Sequence, residues 1–92
     1  MYYVICYDVT EDRIRAKVSK LLEGHGLRVQ KSVFECSDLT ERQLLRLMDK
    51  LDRLIDHTTD NVRLYRQCKG CLAQFDLVGI GKKPELAASG YY

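Results

Sequence analysis

Asp8 is where chemistry would begin in this sequence. It stands near the end of a run of strand-forming residues, Tyr2 to Val9 (YYVICYDV), after which the chain turns basic. A carboxylate at the carboxyl end of a central strand lies where ligands meet α/β layers. It suits a hard cation such as magnesium, which takes one or two carboxylates and keeps several waters. One carboxylate per chain makes a weak site, and a two-fold homodimer would supply a second Asp8, because an isologous interface duplicates every residue across its axis. A plainer role is open as well, in which Asp8 caps the turn or the following helix. Thr10 competes for that role, since its hydroxyl can cap the same helix.

The cations are better placed than their number suggests. Arg13, Lys17 and Lys20 share one helix stripe, Arg15 lies on another, and Arg28 and Lys31 follow in the next segment. Beside a metal-bound carboxylate, such a patch suits a phosphodiester, whose charge the cations neutralise. Solvated helix faces carry the same residue types. The second helix, with Glu41, Arg42, Arg46, Asp49, Lys50, Asp52, Arg53 and Asp56, mixes both signs and reads as a solubility face. The net charge of +2 does not by itself identify a nucleic-acid partner.

Cys68 and Cys71 (CKGC) have the spacing of half a zinc site, with no second CxxC to complete it. Inert thiols, a turn-stabilising disulfide and a zinc shared between subunits are all open. A thioredoxin-like role is disfavoured because the pattern reads as a turn and not as a helix start. Cys6 and Cys36 read as small buried hydrophobes. His25 and His57 fall in polar connections after helices, where a histidine complements the helix dipole.

The elements that must position these residues follow from periodicity. YYVICYDV reads as a strand buried on both faces. Thr10, Glu11 and Asp12 start a helix whose stripe is Ile14, Val18, Leu21 and Leu22; it ends near Glu23, where Gly24 and Gly26 can turn left-handed. In Leu27 to Cys36 (LRVQKSVFEC), alternation breaks at Phe34, so the segment is either one kinked strand or a tight hairpin. Ser37 or Asp38 can cap the next helix, with Asp38 to Glu41 or Thr40 to Gln43 as its capping box. Its apolar face is Leu44, Leu47, Met48, Leu51, Leu54 and Ile55. A strand in NVRLYRQC, a turn at CKGC and a last strand in LAQFDLVGI complete the order. The result is an α+β, ferredoxin-like βαββαβ sandwich with both helices on one sheet face and an additional C-terminal strand. That surplus strand can pair with the sheet edge of a second subunit.

The whole is a single domain over residues 1–81, including the exchange strand, with a flexible tail at 82–92. At 46% hydrophobic and 30% charged, the composition is that of an ordinary globular chain. No apolar run approaches the roughly 20 residues that span a bilayer, and the start lacks signal-peptide features. The expected compartment is therefore the cytoplasm, with thiols reduced and no membrane partner.

Three segments together, VICYDVTEDRIRAKV, GLRVQKSVFEC and DNVRLYRQC, resemble the small CRISPR-associated Cas-two family of the spacer-acquisition machinery. The combination of YDV-T with Q-SVFE carries the likeness, which covers nearly the whole chain. The resemblance implies a homodimer with an exchanged C-terminal strand and an Mg2+ ion shared by two copies of Asp8. It implies two functions on one surface: a metal-dependent endonuclease acting on RNA or DNA, and a scaffold bridging the CRISPR integrase subunits. Carried over by position, the resemblance implies that Asp8, Tyr7, Ser32 and Phe34 are the catalytic residues, with Asp8 also the metal ligand. Arg13, Arg15, Lys17, Arg28 and Lys31 are the nucleic-acid-binding residues. Lys17 stands where arginine is familiar, which keeps the charge but removes a bidentate fork. Readings from other classes are a toxin-like RNA endonuclease of related fold and a non-catalytic small-ligand regulatory module.

Overall fold

The structure, a computed structural model, describes residues 1–82 and Pro84. Its elements are β1 (Tyr2–Asp8), α1 (Asp12–Glu23), β2 (Leu27–Gln30), β3 (Val33–Cys36), α2 (Glu41–Leu54), β4 (Asn61–Gln67) and α3 (Lys69–Ala73). The sheet order is β2-β3-β1-β4, and every neighbouring pair is antiparallel. This is the ferredoxin-like split βαβ arrangement expected from the sequence.

β1 lies at the centre because it alone is apolar on both faces. Its odd residues Tyr3, Ile5, Tyr7 and Val9 join Val18, Leu22, Phe34, Leu47 and Leu51 in the core beneath the helices. Burying a side chain such as Ile5 or Leu22, each fully inaccessible, contributes about 1.5–3 kcal/mol. The even residues point to the other face, where Val4 and Cys6 are half-buried and Asp8 is exposed.

The break in alternation at Phe34 resolves as a hairpin. Lys31 and Ser32 form its turn, and a bulge between Arg28 and Gln30 shifts the register of β2 against β3. Gly26 is required by proximity: a Cβ there would lie 2.3 Å from the Glu35 carbonyl oxygen and 2.7 Å from Cys36 Sγ. The expected left-handed helix stop is not formed, since Gly24 is right-handed and its N–H donates back to Leu21 and Leu22 carbonyls.

Of the two capping boxes open to α2, Thr40 with Gln43 is the one that forms. The Gln43 N–H donates to Thr40 Oγ1 at 3.1 Å, and the Thr40 N–H donates to Gln43 Oε1 at 3.0 Å. Thr10 does not cap α1. Glu11 takes the N-cap position without a side-chain bond, and the Thr10 N–H donates to Asp60 Oδ1 at 3.0 Å.

The carboxy-terminal expectation needs correction. CKGC opens the short helix α3, with Cys68 at its N-cap, and residues 74–82 are irregular, so the strand expected over 72–80 is absent from the single chain. A strand needs a partner edge for its backbone groups, and residues 74–82 pair with neither open edge of the sheet, β2 or β4. They run near β2, where Phe75, Leu77 and Ile80 line a cavity of about 550 Å³ with Leu27 and Val29. The tail expected to be flexible lies outside the described residues apart from Lys82 and Pro84. Among the described residues, no helix is long and apolar enough to cross a membrane.

Candidate metal and nucleic-acid site

Strand parity divides the residues singled out by sequence. Tyr7 and Asp8 are consecutive, so they face opposite sides of the sheet. Asp8 ends β1 opposite Asn61 of β4, on the side away from the helices. Its carboxylate makes no hydrogen bond or ion pair among the described residues, so it caps neither the turn nor α1. Asn61, exposed and in register beside it, is a polar neighbour that the sequence reading did not single out.

Tyr7 turns inward and anchors the hairpin. Its phenol donates to the Lys31 carbonyl at 3.2 Å, and its backbone N–H donates to the Ser32 carbonyl at 3.1 Å. The Lys31–Ser32 turn is thus tied to the strand that ends in Asp8. Phe34 is fully buried; its ring lies 6.3 Å from that of Tyr7, centroid to centroid, at 29°. The Arg28 guanidinium rests over the Phe34 ring at 5.3 Å from the centroid and donates to the Ser19 hydroxyl of α1. Ring and hydroxyl together fix the direction of Arg28 at the β2 edge.

Arg15 is held in a similar way. It donates to the Val9 carbonyl at 3.0 Å and pairs with Asp12, bracing the loop between β1 and α1. Between α1 and the hairpin lies a cleft of about 440 Å³ lined by Tyr7, Arg15, Ser19, Lys20, Arg28 and Lys31, with the carboxylates of Asp12 and Glu23 at hand. Four cations against two carboxylates give this cleft a positive field suited to phosphate. Arg13 is exposed on α1 and lines neither this cleft nor the next.

Lys17 lies elsewhere. With Lys20, Lys50, Arg53, Leu21 and Leu54 it lines a second cavity, of about 460 Å³, between the two long helices. Two cations of the mixed-sign α2 face therefore share a site with α1. His57, as its place after a helix suggested, sits at the end of α2, with Nε2 2.8 Å from the Asp52 carbonyl oxygen.

Asp60 is the functional support that sequence reasoning missed. Its carboxylate accepts from the Thr10 N–H on one oxygen and from the Asp56 N–H, at 2.9 Å, on the other. These bonds hold its pKa below the ordinary carboxylate range, that from Thr10 contributing most. They pin the corner after β1, two residues beyond Asp8, to the start of β4. No sequence pattern signals a contact across fifty positions.

Among the described residues, no group of three His, Cys, Asp or Glu side chains is close enough to hold a metal ion. A single chain offers magnesium one carboxylate, at Asp8. That donor fits an ion bound through one or two carboxylates with water completing the shell, the second carboxylate being available only from another copy of Asp8.

The ferredoxin-like sheet thus carries an unpartnered carboxylate at the end of its central strand on one face and a phosphate-sized cationic cleft on the other. The family model for CRISPR associated protein Cas2 matches residues 1–75. A Chloroflexus aurantiacus protein named CRISPR-associated endoribonuclease Cas2 1 is 46% identical over 92 residues, covering 99% of this chain and 98% of that one. The chain belongs to the Cas2 family. Its structure is similar to that of Streptococcus pyogenes Cas2, with a TM-score of 0.75 and 31% identity over 86% of this chain and 100% of the other. It also resembles a chain of a partial Cas6-RT-Cas1–Cas2 complex, with a TM-score of 0.74 and 38% identity over 84% and 89% of the two chains.

Proposed function

We propose that this chain acts in CRISPR adaptation as a homodimeric scaffold that holds RNA or DNA and docks the integrase subunit. The observation that carries this reading is the cationic cleft between α1 and the β2–β3 hairpin, in which Arg28 is aimed by Phe34 and Ser19. The occurrence of a similar chain in a complex with Cas1 supports the integrase partner. The homodimer is supported by apolar side chains at and around the β2 edge: Leu27, Val29, Val78 and Ile80 are all exposed in the single chain. Pairing residues 74–82 with a second copy would satisfy a backbone that has no strand partner in its own sheet.

The test is salt-dependent binding to a short duplex and to single-stranded RNA. Each cation removed by Arg28→Ala or Lys31→Ala should weaken binding to all sequences and lower the slope of log K against log salt by about 1. Unchanged slopes in folded variants would place the nucleic acid on another surface.

A second function is favoured by the isolated Asp8 carboxylate. In this reading two copies of Asp8 hold one Mg2+ at the two-fold axis of the dimer, and the protein hydrolyses a phosphodiester bond. The ion, when bound, supplies Lewis-acid polarisation of the phosphoryl group. The cationic cleft holds the phosphates, and Tyr7 fixes the Lys31–Ser32 turn near the end of the same strand. The Chloroflexus relative's name as an endoribonuclease supports this reading. Asp8→Ala should abolish magnesium-dependent cleavage in protein that stays folded and dimeric, while leaving integrase binding intact. Equal cleavage by that variant would assign the activity to another site or to a contaminant.

A further inference from the structure

Cys68 and Cys71 are both exposed, and their Sγ atoms lie 3.3 Å apart. The turn that brings them together is held by the Cys71 N–H, which donates to Cys68 Sγ at 3.4 Å. The two sulfurs are thus within roughly an ångström of bonding distance, across the N-cap and first turn of α3, between the end of β4 and the irregular run that follows. No third metal-binding side chain accompanies them among the described residues, so within one chain the pair is not part of a closed metal site.

We propose that Cys68 and Cys71 form a reversible thiol–disulfide site that exchanges with low-molecular-weight disulfides of the glutathione type. The Cys68 thiolate attacks one sulfur of the small disulfide, breaking its S–S bond and releasing one small thiol, which takes up a proton. The Cys71 thiolate then attacks the Cys68 sulfur of the mixed disulfide and displaces the second small thiol. The protein loses two electrons and two thiol protons; the small disulfide gains both.

The core cysteine supplies the contrast. Cys36 is buried in the core beside Gly26, and burial pushes its thiol up to about 11, which leaves it protonated and inert at neutral pH. Cys68 shifts the opposite way: its pKa is lowered, first by the hydrogen bond from the Cys71 N–H and then by the Cys71 thiol. Cys68 is therefore the attacking sulfur and Cys71 the resolving one. The bond would lock the turn from which residues 74–82 depart, the same run whose apolar side chains stand exposed.

The experiment incubates the reduced full chain, under native conditions at neutral pH, with oxidised glutathione, followed by intact mass and peptide mapping. The expected product has lost two hydrogens, carries a Cys68–Cys71 link, leaves Cys6 and Cys36 unmodified, and returns to the dithiol with dithiothreitol. Cys71→Ser should instead accumulate a single glutathione adduct on Cys68, and Cys68→Ser should react more slowly at Cys71. A chain that stays a dithiol, that keeps stable glutathione on both cysteines, or that links only between molecules would overturn the proposal.

Discussion

Removing the Phe34 ring separates a structural role for it from direct contact with substrate. Phe34 has no accessible surface, packs against Tyr7 and carries the Arg28 guanidinium. Phe34→Ala removes a ring at the junction of β3, β1 and β2, and a fully buried aromatic truncated in this way costs about 3–5 kcal/mol. A domain of 92 residues has a stability of about 5–14 kcal/mol at the usual figure per residue. The variant therefore loses between roughly a quarter and nearly all of its stability, and its urea midpoint falls accordingly at unchanged m. Phe34→Leu keeps most of the volume and should cost no more than about 1.5 kcal/mol. It loses the contact of ring with guanidinium, worth about 0.5–1 kcal/mol, so nucleic-acid affinity should drop only about two- to fivefold. Two results would refute this reasoning. One is a Phe34→Ala protein destabilised by less than about 1 kcal/mol. The other is a folded Phe34→Leu protein that loses binding as completely as one lacking both Arg28 and Lys31, which would mean that the ring itself touches nucleic acid.

The same geometry sets two further expectations. Gly26→Ala puts a methyl 2.3 Å from a backbone oxygen that cannot rotate away, so it should cost about 1–3 kcal/mol and lower the melting temperature by several degrees. An unchanged melting curve would show that β2 and β3 are free to separate. Asp60 and Asp56 both titrate below the ordinary carboxylate range, because hydrogen-bond donors hold the charged forms, the Thr10 N–H foremost for Asp60 and the Thr58 hydroxyl, followed by the Thr58 N–H, for Asp56. A carboxylate whose folded pKa is depressed contributes stability above its unfolded pKa and loses it as pH falls through the folded value. Acid unfolding should therefore be less steep in Asp60→Asn, read by urea titrations from pH 5 downward, and NMR titration of the Asp60 carboxyl should show its midpoint below that of a free aspartate.

What could be read from sequence was local. The apolar run of β1, the stripe of α1 and the Thr40–Gln43 capping box each depend on residues within a few positions of one another, and each is found in the structure. The family likeness lay in YDV-T and Q-SVFE, two short segments that the sheet sets side by side as β1 and β3. Interactions across the sequence were not legible. Thr10 reads as a cap, yet its N–H is taken by Asp60, and nothing near Asp60 announces that. Gly26 reads as a helix stop, yet the approach of Glu35 is what demands it. CKGC reads as a turn because glycine sits in it; its short helix depends on Cys68 serving as the cap. Residues 72–80 have strand composition, but composition does not supply a neighbouring strand. Of the cations expected to form one patch, Arg15, Arg28 and Lys31 meet in the cleft, while Lys17 joins Lys50 and Arg53 and Arg13 stands apart.

The odd-even division of β1 has a bearing on how such a protein can change over generations. Tyr7 lines the cationic cleft, Asp8 ends the strand on the opposite face, and a sheet separates them although they are adjacent in the chain. A substitution at position 8 leaves the gripping side untouched, and a change in the cleft leaves the carboxylate where it was. Under the proposed reading, a substitution at position 8 removes cleavage while the grip on nucleic acid persists, whereas loss of the cleft weakens both, so the fold acts as a partition that single mutations cross in one direction only.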